Sequence, residues 1–358
     1  MRILIATDAW TPLVNGVVRT YQTVTKILKE KGDEIYFVTP ENSPTIPFPL
    51  YPEIKLTLFA RNKVEAAIDK FQPDAIHIGT EGPIGLATRQ ICLQRQLPFT
   101  TSYHTRFPVY LRQYLHIPLS WSYPCYRRFH AHSSHVLVPS ESMKEELDNR
   151  KFENVKVWSR GVDLEVFKPI KSEVYEGLQK PILLYVGRVS YEKNIEAFLS
   201  LSNVGTKVVV GDGPRLAKLQ RKYTNVVFVG YQNGDKLAAY YANADVCVFP
   251  SLTDTFGLVL LEALACGTPV AAFPVTGPKD VIGDASVGAL DIDLSKAVEK
   301  ALQVNRENCL PYAKQFTWEN CALHFRQFLA KFTEDKEVKG LPYQDVETIE
   351  RISVSQDV

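Results

Sequence analysis

Pro181-Ile182-Leu183-Leu184-Tyr185-Val186-Gly187-Arg188-Val189-Ser190-Tyr191-Glu192-Lys193-Asn194 runs from a short β-rich apolar stretch through a polar turn toward a helical pattern. A branched, apolar run that stops at a glycine and is followed by a helix-like segment is a buried strand feeding a strand-to-helix turn. The unit recurs downstream, with apolar runs at 207–210, 226–229, 246–250 and 270–273. Upstream the same alternation appears at 3–6, 35–39, 75–78, 136–138 and 155–158. Strands alternating with helices at this spacing predict parallel sheets covered by helices on both faces. The expectation is an α/β protein of two doubly wound, Rossmann-like domains facing a cleft.

The pattern lapses at Phe167-Lys168-Pro169-Ile170-Lys171-Ser172, a polar stretch with a proline, which reads as a linker. The expected division is residues 1–168, residues 169–312, a helix within 313–331 that crosses back to the first domain, and a polar tail over 332–358. Thr317 is a cap signal for that helix, read through about 331. Two such domains leave a cleft at the carboxyl ends of both sheets, where ligands bind in this architecture.

The 358 residues are 45% hydrophobic and 23% charged, an ordinary globular composition. With 41 basic and 40 acidic residues the net charge is +1, which gives no global attraction to nucleic acid. The distribution is uneven: between Glu81 and Glu141 there is no Asp or Glu, while Arg89, Arg95, Arg106, Arg112, Arg127 and Arg128 fall inside. Tyr103, Phe107, Tyr110, Tyr114, Trp121, Tyr123, Tyr126 and Phe129 are interleaved with them. Two readings stand side by side. Arg106, Arg112, Arg127 and Arg128 belong to an acceptor or membrane face meeting anionic lipid, or an aromatic core lies beneath an arginine-bearing surface. The six cysteines lack metal or C-x-x-C spacing and read as buried thiols of a reducing compartment. The first residues read as a strand rather than a signal peptide, and no run of about 18 apolar residues occurs, so the expected location is cytoplasmic.

Chemistry concentrates in Thr253-Asp254-Thr255-Phe256-Gly257-Leu258-Val259-Leu260-Leu261-Glu262-Ala263-Leu264-Ala265-Cys266-Gly267-Thr268-Pro269-Val270. A helix from Phe256 to Cys266 puts Asp254 before its first turn and Glu262 about two turns along the same side. Gly257 at the helix start lets the N–H groups of the Phe256-Gly257-Leu258-Val259 turn approach an anion. Asp254 is then a partner for ligand hydroxyls and Glu262 for those of a ribose; for Asp254 a helix N-cap is the plainer reading. Glu262 sits among leucines and alanines, and a carboxylate there needs a partner.

Arg188 and Lys193 suit a pyrophosphate, one as a fork and the other as a mobile point charge. An ordinary Arg188–Glu192 ion pair is the alternative. Gly211-Asp212-Gly213-Pro214 lacks the third glycine of a dinucleotide fingerprint, so it reads as a tight turn with Pro214 opening a helix. Asn15-Gly16 allows a left-handed turn that presents bare N–H groups to the cleft. His104 follows a short strand and faces the cleft, where it bonds a sugar hydroxyl or developing charge, or else is a satisfied structural histidine. Asp291-Ile292-Asp293 reads as a chance match to a metal-binding D-x-D, and no metal is expected.

Together, Gly187-Arg188 with Glu192-Lys193-Asn194, Gly211-Asp212-Gly213-Pro214, Ala244-Asp245 before Phe249-Pro250-Ser251, and Asp254 spaced from Glu262 ahead of Ala265-Cys266-Gly267-Thr268-Pro269-Val270 resemble glycosyltransferase family 4, retaining enzymes of the GT-B fold. The likeness spans about residues 1–330. Thr101 through Pro108, Trp158 through Asp163 and Pro274 through Pro278 are most similar to bacterial GDP-mannose-dependent α-mannosyltransferases acting on glycolipids. Lipid glycosyltransferases using UDP-glucuronate, UDP-sulfoquinovose, UDP-glucose or UDP-galactose are the alternative, and a catalytically silent sugar-nucleotide-binding protein or a nicotinamide oxidoreductase stands further off. The resemblance implies that Arg188 and Lys193 neutralise the donor pyrophosphate, Gly16 closes on it, Glu262 holds the ribose, Asp254 the donor sugar hydroxyls, and His104 the sugar near the reacting carbon. It implies no metal or other cofactor, and a lipid-linked acceptor at the inner face of the cytoplasmic membrane. Asp254 stands where the family usually has Glu, which shortens its reach by about one methylene.

Overall fold

The computed structural model describes residues 1–11, 15–48, 51–202 and 205–332. The expected polar tail lies outside the described residues from 333 onward.

The first half builds a six-stranded parallel sheet from β1 (Arg2–Ala6), β2 (Glu34–Val38), β5 (Ala75–Ile78), β6 (Phe99–Ser102), β7 (Val136–Val138) and β8 (Val155–Val157), in the order β2-β1-β5-β6-β7-β8. Between them run α1 (Gly16–Glu30), α2 (Ala60–Phe71), α3 (Pro83–Gln94), α4 (Phe107–Leu115), α5 (Leu119–His130) and α6 (Glu141–Asn149). An antiparallel pair, β3 (Thr45–Phe48) and β4 (Tyr51–Thr57), interrupts the alternation between β2 and α2. Ile3, Leu4 and Ile5 are fully buried and alternate between two cores, one on each face of the sheet. That double burial is why the strand is apolar at consecutive positions.

The second half repeats the plan with β9 (Ile182–Val186), β10 (Thr206–Val210), β11 (Val227–Gly230), β12 (Val246–Phe249), β13 (Val270–Ala272) and β14 (Gly288–Leu290), ordered β11-β10-β9-β12-β13-β14. Its helices are α7 (Ile195–Leu199), α8 (Leu216–Lys222), α9 (Gly234–Asn243), α10 (Leu258–Ala265), α11 (Pro278–Val281), α12 (Leu294–Ala301) and α13 (Cys309–Ala313). In both sheets the strand order reverses beside the first strand of the half, which opens a crevice at the carboxyl ends of β9 and β12 and another at β1 and β5.

The last helix, α14 (Trp318–Phe328), starts on the Thr317 cap, whose hydroxyl accepts from Asn320 N–H at 3.2 Å, and returns to the first sheet. There Phe325 and Cys321 pack with Trp158 and Tyr21, the Trp158 indole N–H donates to the Cys321 carbonyl at 2.9 Å, and Arg326 pairs with Asp33 at 2.7 Å. Two local expectations need correction. Pro214 does not open a helix: α8 begins at Leu216 after an Arg215 cap. The turn before it is set by backbone approach, since a Cβ on Gly211 would lie 1.9 Å from the Gly187 carbonyl oxygen. The 256–266 helix is shorter than its apolar pattern, starting at Leu258 because Gly257 turns left-handed at φ 91°.

Candidate functional site

The second-domain wall is built at the switch point. β9 delivers Gly187 and Arg188, while the loop after β12 delivers Asp254. The Lys193 ammonium forms an ion pair with Asp254 Oδ1, across 61 residues of sequence. Burial pulls the Lys193 pKa down, but the Asp254 carboxylate and Tyr110 outweigh it, and the ammonium is held above its ordinary range. The other Asp254 oxygen, Oδ2, is buried with no hydrogen-bond partner among the described residues. Asp254 is not the helix cap of the plainer reading, because Gly257 occupies that position without any side-chain bond.

Glu262 is 4% exposed, and both of its oxygens are engaged. Oε1 pairs with the Arg19 guanidinium of the first domain, and Oε2 accepts from the Tyr241 hydroxyl at 2.9 Å. These are the partners that so apolar a helix demanded. Arg19 also lies over the Phe167 ring, 5.2 Å from its centroid. Arg188 Nε stands 3.9 Å from Glu192 Oε1, so the ion pair of the alternative reading is present at long range. Glu192 is itself held by Ser190 at 2.6 Å and, from across the cleft, by the Tyr114 hydroxyl of α4 at 2.8 Å.

On the first-domain wall, Gly16 opens α1 beside α10: a Cβ there would meet Leu258 Cδ1 at 3.4 Å. The expected left-handed turn with bare N–H groups is not what forms. Asn15 is extended and caps α1, accepting from Val17 N–H at 3.0 Å and Val18 N–H at 2.9 Å. An Asn at a helix start satisfies those donors itself, which competes with a ligand for them. Among the four turn residues at the start of α10, Phe256 is buried, while Gly257, Leu258 and Val259 are half-buried.

His104 also departs from its expected use. Its Nδ1 is 3.0 Å from Arg160 and its Nε2 is 2.8 Å from the Tyr21 hydroxyl, so both ring nitrogens are engaged inside the first domain rather than offered to a sugar. Desolvation first, then the Arg160 charge and His77, push its pKa well below the ordinary value. What His104 presents across the cleft is its backbone carbonyl, which accepts from the Thr255 hydroxyl at 2.7 Å.

Of the four surface candidates, Arg112, Arg127 and Arg128 are exposed, whereas Arg106 is drawn into a 2.8 Å ion pair with Glu146. The interval without Asp or Glu therefore holds an aromatic core together with exposed arginines. Tyr103, Tyr123 and Phe129 are buried as an aromatic core, and Trp121 stands 72% exposed on the α4–α5 hairpin. Among the described residues no helix is long and apolar enough to cross a membrane, and no cluster of His, Cys, Asp or Glu is arranged to hold a metal ion. Asp291 pairs with Lys300 at 2.7 Å, and Asp293 caps α12.

Arg19, Tyr21, Arg160 and Tyr241 were not singled out by sequence, His77 reads there as a structural histidine, and Tyr114 appears only in the aromatic run between Glu81 and Glu141. Arg160 falls in the 158–163 run quoted for family likeness, and Arg19 lies three residues past Gly16; Tyr21 and Tyr241 carry no local signal.

Family models match both halves of the chain: Glycosyltransferase Family 4 over residues 14–166 and Glycosyl transferases group 1 over residues 167–315. A GDP-mannose-dependent alpha-mannosyltransferase of Mycobacterium tuberculosis is 30% identical over 81% of this chain and 83% of its own length. An alpha-monoglucosyldiacylglycerol synthase of Streptococcus pneumoniae is 30% identical over 84% of this chain and 78% of its own length. A sulfoquinovosyl transferase of Arabidopsis thaliana is 31% identical over 77% of this chain, which spans only 60% of that protein. Among solved structures, the sucrose-phosphate synthase of Thermosynechococcus elongatus superposes with a TM-score of 0.73 at 23% identity, covering 91% of this chain and 97% of that one. That likeness fixes the fold as GT-B.

Proposed function

Because the chain belongs to glycosyltransferase family 4, we propose that it is a retaining hexosyltransferase that moves mannose from GDP-mannose onto a membrane glycolipid. The observation that carries this reading is the arrangement around Asp254. One carboxylate oxygen is pinned by Lys193, and the other is buried, unpartnered and next to the loop that opens α10. A buried acceptor left without a donor is costly unless a ligand supplies one. A donor-sugar hydroxyl fits that need, with Lys193 and Arg188 on the pyrophosphate side and Glu262 exchanging Arg19 for ribose hydroxyls.

Catalysis rests on positioning and charge. Lys193, kept protonated by Asp254, neutralises charge that develops on the leaving diphosphate. In front-face transfer the departing phosphate oxygen takes the acceptor proton, and no protein nucleophile is required. No metal or other cofactor enters this scheme.

The acceptor side is the first domain. Its α4–α5 hairpin exposes Trp121, Leu115, Arg112, Arg127 and Arg128, a combination suited to an anionic lipid surface and to peripheral attachment at the inner face of the cytoplasmic membrane. The similarity to the sulfoquinovosyl and monoglucosyldiacylglycerol enzymes supports the second reading, a UDP-sugar donor with a diacylglycerol-type acceptor. GDP-mannose, UDP-glucose, UDP-galactose and UDP-glucuronate offered with extracted membrane lipids, with products read by mass, separate the two. A mannolipid is the expected product; a UDP-sugar product alone replaces the first reading with the second.

A further inference from the structure

Arg160 is 5% exposed, and among the described residues no carboxylate pairs with it. Its guanidinium instead donates to the carbonyls of Trp158 and, at 3.2 Å, Ser159, and lies over the Trp158 ring, 4.4 Å from its centroid. Its remaining fork reaches His104 Nδ1 at 3.0 Å. A buried cation without a counter-charge is expensive, so it should do something that a neutral side chain could not.

The chemistry of the donors gives the direction of the whole network. A guanidinium can only donate. His104 Nδ1 must therefore accept, which leaves the proton on Nε2, facing the Tyr21 oxygen at 2.8 Å. Tyr21 then donates to His77 Nε2 at 2.9 Å, where Ser102 also arrives at 3.0 Å. With Nε2 accepting, His77 carries its proton on Nδ1 and donates to the Thr100 hydroxyl at 2.8 Å. From Arg160 the polarity is forced as far as the Tyr21 oxygen, and donation by Tyr21 to His77 is the arrangement that gives the Tyr21 proton an acceptor as well. At the other end, the His104 carbonyl takes the hydroxyl of Thr255, the neighbour of Asp254, at 2.7 Å.

We propose that Arg160 and Tyr21 are positioning residues that lock His104 as its neutral Nε2–H tautomer and so fix its carbonyl on Thr255, keeping the Asp254 loop in register with the first domain. The proposal rests on the reading of Asp254 as the sugar-hydroxyl partner. Protonating His104 would set an N–H against the Arg160 N–H and two positive charges side by side. The groups facing the ring are Tyr21 from α1, His77 from β5 and Arg160 after β8; Cys321 of α14 stands behind Arg160, and Glu81 acts on Tyr21 from farther away. None is a carboxylate in contact with His104, so nothing in the network favours its charged form.

The test uses the full chain with 15N-labelled histidine, His104 being assigned by difference with His104→Gln. The expected spectrum shows His104 as the Nε2–H tautomer, unchanged from pH 8 to pH 6. In Arg160→Met the Nδ1–H tautomer should appear beside it, while burial still keeps the ring neutral in that interval. Transfer should slow about tenfold in kcat with little change in donor KM, since the Arg160–His104 hydrogen bond orients the loop and does not hold the donor. Arg160→Lys should recover part of kcat. Tyr21→Phe, which keeps the ring packing, should release Nε2 and lower kcat several-fold, and it carries the test if Arg160→Met does not fold. An Nδ1–H or charged His104 at pH 7 overturns the proposal, as does Tyr21→Phe that leaves both spectrum and kcat unchanged. The spectra need no substrate, so failure to find a transfer product defeats the functional reading without touching this one.

Discussion

The two walls of the cleft are built on different principles. The second domain sets charge against charge: Lys193 on Asp254 and Arg188 facing Glu192, on neighbouring turns at the ends of adjacent strands. The first domain sets hydrogen bonds end to end around a neutral histidine, with His104 reaching Tyr21 across 83 residues and Arg160 across 56. The difference suits the donor. A diphosphate leaving group needs neutralisation on one side, while a sugar ring needs fixed polar contacts that do not compete for the same charge.

Breaking the charged wall should cost most. Asp254→Asn removes the anion that holds Lys193 and the buried acceptor Oδ2, and transfer should fall by about 10² in kcat, the scale of losing one preorganised electrostatic interaction. Donor KM should move little. Steady-state kinetics with GDP-mannose decide it, and a fully active Asp254→Asn would remove the sugar-binding role. One step smaller, Glu262→Ala should weaken nucleoside diphosphate binding about tenfold, as a hydrogen-bonded charge is lost. Arg19→Met should do the reverse. Arg19 occupies Glu262 Oε1 and is itself 40% exposed; its removal leaves the buried carboxylate to Tyr241 alone and lowers stability, while vacating the oxygen for ribose should tighten binding by about threefold. Calorimetry on both variants tests this, and weaker binding in Arg19→Met would make Arg19 a ligand partner rather than a competitor.

The same contrast explains what the sequence made legible. The doubly wound plan follows from runs such as 182–186 and 270–273, because burial on both sheet faces forces consecutive apolar residues and leaves an unmistakable period. Arg188, Lys193 and Asp254 stood out as ionisable residues at turns after strands, and Glu262 as a carboxylate inside an apolar helix. The Asn15 turn was misread, and the choice between a cleft-facing and a structural His104 was left open, for a shared reason. Whether an N–H or a ring nitrogen is free depends on who caps it, and the caps come from Asn15's own side chain in one case and from distant α1 and the 158–163 run in the other. The start of α10 was missed by two residues because an apolar pattern says nothing about the φ of Gly257. Nor could a local reading separate Arg106, which is pinned by Glu146, from the exposed Arg112, Arg127 and Arg128.

Acid should separate the walls more gently. Burial depresses the His77 pKa to about 3, so the folded protein binds fewer protons than the unfolded chain between that value and the ordinary 6.5. Stability is therefore lost as pH falls below 6.5, by about 1.4 kcal/mol per unit. His104, also depressed, adds to the same slope. Asp8 opposes it: burial raises its carboxyl to about 6, and protonation there favours the folded state as pH falls from 6 toward 3.8. The expected net result is a melting temperature that drops between pH 7 and pH 5. His77→Gln should flatten the slope; an unchanged slope in that variant would mean that the histidine network does not carry the acid response.

The last expected effect concerns the outer face of the first domain, where the aromatic core and the exposed basic hairpin part company. Trp121 is 72% exposed and Leu115 50%, flanked by the exposed Arg112, Arg127 and Arg128, while Arg106 is neutralised by Glu146. A basic residue near an anionic surface contributes about 1 kcal/mol, and less with distance from it. Neutralising Arg127 and Arg128 together should therefore lower flotation with anionic vesicles by about fivefold to tenfold, and raising the salt should mimic the loss. Trp121→Ser should lower it on neutral and anionic vesicles alike, since an interfacial ring acts through burial rather than charge. Arg106→Gln should leave flotation unchanged but destabilise the fold, because it abandons a partly buried Glu146. If Arg106→Gln lowers flotation as much as the Arg127 and Arg128 change does, the lipid-binding face lies nearer the cleft than the hairpin, and the division between a charged donor wall and a neutral acceptor wall ends there.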